Sequence, residues 1–260
     1  MRVRSMLAVG LVLAAATVVV LPAACPAAPG SAPTTPESRT GWWMELHAKF
    51  LERAKKGDVD LLFLGDSITQ GWGGNDVWQR YYGARKAANF GIGGDRTQHV
   101  LWRIDHGELD GIKPRVIVLM IGTNNIHSDT PDEIAAGVKA IVERIRKQLP
   151  STKVLLLGVF PRDEKPSPTR ERIKSLNASI AKFDDGKHVK YLDIGAKFMN
   201  ADGTLSKSIM PDFLHLSHAG YMIWADAIEP TLFEMLSAPA AAEGGKIEAL
   251  RIVPAVPAWA

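Results

Sequence analysis

Ser67 and, far from it in the sequence, Asp212 and His215 have the side-chain types that acyl transfer requires. That chemistry needs a nucleophile, a base to take its proton and hydrogen-bond donors for a tetrahedral oxyanion. Ser67 stands in Gly65-Asp66-Ser67-Ile68-Thr69, directly after the apolar run 59–64. The run reads as a buried strand, so Ser67 falls at its carboxyl end, the edge where open α/β sheets bind ligands. His215 is the best base because Asp212 lies three positions earlier on a short local element. That spacing lets the carboxylate hold Nδ1–H and leaves Nε2 to face Ser67. The oxyanion donors would be the Ser67 N–H, the Gly94 N–H and the Asn124 side-chain amide. Gly94 belongs to Asn89-Phe90-Gly91-Ile92-Gly93-Gly94-Asp95, and Asn124 to Gly122-Thr123-Asn124-Asn125. Glycine suits a backbone donor because no Cβ obstructs the approach of a substrate.

Each of these residue types also has a plainer use. An Asp-Ser pair after a strand often does no more than cap a helix, and Asp66 is expected to hold the turn by hydrogen bonds. His218 opens the next helical stretch and reads as a capping or exposed residue. His47, His99, His106, His127 and His188 read as surface or packing residues, and Asn125 as a loop stabiliser. Trp72 and Trp78 follow the nucleophile closely enough to line an acyl or sugar pocket, although Trp78, Tyr81 and Tyr82 fit a core equally well. The polar segment 162–170 reads as a solvated loop. As a phosphate cradle, 89–95 fails, since no Lys-Ser/Thr follows its glycines and the dinucleotide spacing is wrong. No cofactor and no metal are expected.

These residues need a frame that brings them together. Apolar runs at 59–64, 87–90, 115–121, 154–159 and 189–194 read as strands, and helical periodicity fills about 97–106, 132–149, 168–184 and 218–237. An earlier helix carries Trp43, Leu46, Phe50, Leu51 and Ala54. The 132–149 segment is the clearest, with Pro131 opening it and Pro150 closing it. Five strands alternating with helices predict a parallel sheet covered on both faces. The expected fold is therefore a three-layer α/β/α sandwich, flavodoxin-like, with strand order 2-1-3-4-5. In such a sheet the carboxyl ends of strands one, two and three share one edge, so residues distant in sequence converge there.

The ends of the chain have a different character. Arg2 and Arg4 precede an apolar stretch from 6 to 21 and then small residues, the pattern of a secretory signal at 1–25. Export to the periplasm or the extracellular space is the expectation, with the folded body at 41–237. The single cysteine, Cys25, stands where a lipoprotein signal would place its acylated residue, but Pro22 replaces the usual aliphatic residue three positions before it. Residues 26–40 read as a flexible linker and 238–260 as an Ala/Pro-rich tail with a candidate strand at 246–253. The formal charge of +3 falls to about +1 without the leader arginines, which is no footprint for nucleic acid. A body without cysteine offers neither a disulfide nor a thiolate metal site.

Gly-Asp-Ser67 after strand one, Gly94 in the glycine-rich turn, Gly122-x-Asn124 after strand three and Asp212-x-x-His215 together resemble the four blocks of the SGNH (GDSL) hydrolases. Within that superfamily, 89–95, 99–103, 107–109, Lys113-Pro114, 161–168 and 212–216 are similar to the catalytic subunits of intracellular platelet-activating-factor acetylhydrolase. The likeness spans roughly 42–235. It implies a metal-free serine esterase with Ser67 as nucleophile, Asp212 and His215 as its partners, and Gly94 and Asn124 as oxyanion donors; it also singles out Gly94 over Gly91 and Gly93. The pairing of those subunits raises a homodimer for this chain. The expected activity is hydrolysis of small acyl esters, acetyl above all, on an acetylated glycan or lipid. Two alternatives stand beside it: a lysophospholipase or longer-chain lipid esterase, and a non-catalytic glycan-binding module on the same fold.

Overall fold

Alternate residues of the central strands feed two separate cores. Leu62, Leu64, Ile117 and Leu119 point to one face of the sheet, and Leu61, Phe63, Val116, Val118 and Met120 to the other. A strand that is apolar at every position can be buried on both sides, which is why these runs do not alternate in polarity. The structure is a computed structural model that describes residues 32–237 of the chain.

The order of elements is α1 (Trp42–Lys55), β1 (Leu61–Gly65), α2 (Ser67–Gln70), α3 (Asp76–Tyr82), β2 (Ala87–Gly91), α4 (Thr97–Asp105), β3 (Val116–Met120), α5 (Pro131–Gln148), β4 (Lys153–Leu157), α6 (Pro168–Ile180), β5 (Val189–Leu192) and α7 (His218–Ser237). All five strands are parallel, in the order β2-β1-β3-β4-β5. The sheet and its order are those read from the sequence. Residues of α1, α4, α5 and α6 pack on one face, and those of α3 and α7 on the other. The direction in which successive strands are added reverses between β1 and β3, so the crevice beyond their carboxyl ends is the switch point where ligands bind in such sheets.

Local signals set the helix boundaries. Thr130 caps α5 through a reciprocal pair with Glu133, and Pro131 supplies a first-turn residue that needs no N–H partner. Ser167 caps α6 singly, its hydroxyl accepting from the Arg170 N–H. α3, which the sequence reading left unassigned, starts at Asn75, whose side chain accepts from the Val77 N–H.

One expectation is corrected for part of its length. Residues 32–40, read as part of a flexible linker, lie against the domain. The Thr97 hydroxyl donates to Pro33 O at 2.9 Å, and the Glu37 N–H donates to Gln98 O at 3.1 Å. Arg39 reaches Gly93 O and Asp95. The contacts are made by backbone groups and one arginine, which apolar patterning cannot register. The expected leader at 1–25, the rest of the linker and the tail with its candidate strand lie outside the described residues.

Candidate active site

The nucleophile candidate is placed by the turn that ends β1. Asp66 is fully buried and accepts from the Ile68 N–H at 3.0 Å, which starts α2 immediately after the strand. Burial pushes its carboxyl up to about 7, against the pull of that hydrogen bond. Gly65 has no room for a side chain, because a Cβ would stand 2.3 Å from both Met120 O and Thr69 Oγ1. Ser67 is thus the first residue of a helix, half-buried, where backbone N–H groups lack intrahelical partners.

His215 meets Ser67 across 148 residues of sequence, with Oγ and Nε2 2.9 Å apart. Its Nδ1 lies 2.7 Å from Asp212 Oδ2. A carboxylate only accepts, so it assigns the ring proton to Nδ1 and leaves Nε2 to accept from the serine hydroxyl. Asp212 Oδ1 also accepts from the Leu214 N–H at 3.1 Å and the His215 N–H at 2.7 Å. Partial burial acts to raise the Asp212 carboxyl, but the bonds from the His215 ring and from these two N–H groups outweigh it and hold it at about 2. So tight a turn needs Phe213 in the left-handed region, at φ 58°, a conformation that costs a non-glycine residue free energy and clusters at functional sites.

The glycine-rich turn and the loop after β3 come together beside this pair. Gly94 adopts φ +77°, and the Asp95 N–H closes the turn onto Ile92 O at 3.1 Å. Among the described residues no protein group takes the Gly94 N–H. Asn124 donates one amide hydrogen to Asp95 O at 2.8 Å, which leaves its second free to act. Asn125 is spent on structure. It accepts from the Thr97 N–H at 3.0 Å and donates to Gln98 at 3.0 Å and Asp129 at 2.9 Å.

Several supporting groups escape a motif reading. Asp95 is fully buried and receives Trp43 Nε1 at 2.7 Å, Arg103 Nε at 2.9 Å and Arg39 Nη1 at 3.1 Å. Arg103, also fully buried, binds Glu108 and reaches Phe90 O at 3.0 Å and Gly65 O at 3.3 Å. One guanidinium thereby ties the carboxyl ends of β1 and β2 to the glycine turn. Burial raises the Glu108 carboxyl to about 7, and the Arg103 charge opposes that rise. The segment after β4 is more than a solvated loop. Arg162 leans on Thr123, the Asp163 N–H donates to Phe213 O at 3.0 Å, and buried Arg170 binds Arg162 O at 2.7 Å. It braces the asparagine loop and the Asp212–His215 turn against each other.

Two further expectations meet the structure differently. Trp72 is fully buried among Phe63, Tyr82, Tyr221 and Trp224, so it lines no pocket, and Trp78 packs partly buried on the same cluster. The exposed aromatic beside the nucleophile is Trp42: a methyl placed on Gly93 would stand 4.0 Å from its ring and 3.7 Å from Ser67 Cβ. A helical periodicity that counts Trp43 as core leaves Trp42 on the outer side, and that was its only sequence signal. His218 opens α7 and pairs with Asp76 at 2.8 Å on the surface. Among the described residues, no group of three His, Cys, Asp or Glu side chains could hold a metal ion.

A parallel five-stranded sheet carrying serine, histidine and aspartate at its carboxyl edge is the architecture of a broad class of α/β/α hydrolases. The chain belongs to the GDSL-like lipase/acylhydrolase family, whose profile matches residues 63–223. It is 38% identical over 212 residues to platelet-activating factor acetylhydrolase IB subunit alpha1 of Rattus norvegicus, covering 80% of this chain and 91% of that one. Solved structures share the fold. A GDSL-like lipase from Bacteroides thetaiotaomicron superposes with a TM-score of 0.60 at 19% identity, over 72% of this chain and 97% of its own. An acetylxylan esterase from Geobacillus stearothermophilus gives 0.54 at 20% identity, over 70% and 96%.

Proposed function

We propose that this chain is an exported serine esterase that removes small acyl groups, acetyl above all, through an acyl-enzyme. The observation that carries the reading is the unbroken line of hydrogen bonds from Ser67 Oγ through His215 to Asp212. In the reaction, His215 Nε2 takes the hydroxyl proton as Ser67 Oγ attacks the acyl carbonyl. The Ser67 N–H, the Gly94 N–H and the free Asn124 amide hydrogen receive the oxyanion. His215 then passes its proton to the leaving alcohol, and water repeats the sequence to free the acid. Asp212 remains ionised and keeps the ring in the required tautomer.

Two features favour a small acyl group on a large alcohol. The His215 and Asp212 side chains are 45% and 56% exposed, an open rim that receives a bulky leaving group without enclosing it. Trp42 presents an exposed indole on the rim of the Gly93 turn that faces Ser67, with the Arg39 guanidinium 5.4 Å from its ring centre. An aromatic face flanked by hydrogen-bonding groups matches a sugar ring, which has apolar C–H faces and polar edges. The relatives that name an acyl group name acetyl, which supports the same choice.

The test is hydrolysis of p-nitrophenyl acetate, butyrate and octanoate by the purified protein and by Ser67→Ala. Acetate should be fastest, and Ser67→Ala should lose at least about 10⁴-fold in kcat, the scale of losing a triad member. Faster octanoate turnover would move the substrate to lipids. A folded wild type that turns over none of the three, and no acetylated xylan, would reject the esterase reading.

A further inference from the structure

Gly93 and Gly94 share one peptide unit, so the carbonyl of Gly93 and the N–H of Gly94 are two ends of the same rigid, planar group. In a trans peptide those ends point in opposite directions. Whatever fixes the carbonyl therefore also aims the N–H. In this structure the carbonyl accepts from Arg39 Nη1 at 2.7 Å, and the same nitrogen reaches Asp95 Oδ1 at 3.1 Å. The guanidinium approaches the intervening glycine with its nitrogen end, so that a methyl on Gly94 would stand 3.4 Å from both Nη1 and Nη2. Gln70 pins the other side of the turn by accepting from the Gly93 N–H at 2.7 Å.

We infer that Arg39, on the segment ahead of α1, is a positioning residue for the oxyanion site that holds the Gly93–Gly94 peptide by its carbonyl. The inference rests on the reading of Ser67 as nucleophile and the Gly94 N–H as an oxyanion donor. Arg39 contributes in three ways. It fixes the peptide plane. Its charged hydrogen bond to the carbonyl polarises the peptide and strengthens the opposite N–H as a donor. It also helps neutralise Asp95, a buried carboxylate one residue from the donor that would otherwise repel a developing oxyanion.

Arg39 is a poor candidate for a structural strut. Its side chain is 28% exposed, whereas fully buried Arg103 and Trp43 continue to satisfy Asp95 when Arg39 is removed. Its loss should therefore appear in the transition state more than in the fold.

The experiment compares wild type, Arg39→Ala and Arg39→Lys by kcat and KM on the best ester, by thermal melting, and by the rate at which an alkyl fluorophosphonate labels Ser67. Phosphonylation also passes through an oxyanion, so it reads the site independently of ester preference. Direct loss of an oxyanion donor costs about 10²–10³ in kcat. Acting through the peptide, Arg39→Ala should lose roughly 10–50-fold in both kcat and labelling rate, with KM within about twofold. Arg39→Lys should recover only part, because an ammonium on a shorter side chain is more strongly hydrated than a guanidinium and settles less readily against the turn. Added guanidinium ion at non-denaturing concentration should partly restore Arg39→Ala and leave wild type unchanged. Labelling and kcat within twofold of wild type would overturn the inference, as would losses confined to KM or paralleled by a collapse in melting temperature. Failure of the esterase reading would show separately, as a wild type inert to esters whose labelling still responds to Arg39.

Discussion

At the scale of single residues, two carboxylates of the candidate site are driven in opposite directions. Asp212 sits in a turn of N–H donors and is held at about 2, so it stays ionised through the working range and does not set the acid limb of a rate profile. Asp66, one residue before Ser67, is fully buried and raised to about 7. Its folded value lies above the unfolded one, so between about pH 4 and 7 the folded chain binds more protons than the unfolded chain. Stability should therefore fall as pH rises through that window. Asp66→Asn keeps the acceptor for the Ile68 N–H and removes the titration. Its melting temperature should gain on wild type from pH 5 to pH 8, and parallel curves would refute this account. Glu108 titrates in the same direction in both proteins, so the difference isolates Asp66.

At the scale of elements, legibility followed the kind of force that holds each one. The strands and α5 were readable because apolar side chains in unbroken runs or at a period of 3.6 bury themselves, and burial leaves a pattern in sequence. Ser67 and Asn124 were proposed from the strand ends they follow, Asp212 and His215 from their spacing of three, and Gly94 was singled out by the resemblance to the SGNH hydrolases alone. α3 was missed because a seven-residue helix between glycine turns offers barely two turns of periodicity. The Pro33–Arg39 contacts were missed because they are hydrogen bonds to backbone. Arg103 was invisible as a buried group, since an arginine on a helix normally signals solvent. That residue carries the prediction for this scale. Arg103→Met strands Glu108 in the core and takes one of three partners from Asp95, and breaking a buried ion pair by removing one partner costs about 3–5 kcal/mol. Urea unfolding should show a loss of that order. A loss under about 1 kcal/mol would mean that water or rearrangement replaces the guanidinium.

At the scale of the whole molecule, both faces of the sheet are covered and the reactive edge is left open, so the substrate is selected by what surrounds that edge. The segment carrying Arg39 is also the one that leads back toward Cys25, and this gives the docked segment a second meaning, that of a leash. Pro33 is fastened to Thr97, and Cys25 stands eight residues before it. Eight residues at full extension reach at most about 28 Å. An acyl anchor on Cys25 would therefore keep the catalytic edge within a protein's width of the bilayer, sweeping a surface in two dimensions. Cleavage after that residue, or before it without acylation, would instead release a freely diffusing enzyme. Our reading favours release. Cell fractionation should find the protein in the soluble exported fraction, unchanged by Cys25→Ser; membrane association that Cys25→Ser abolishes would mean that the enzyme grazes on a leash.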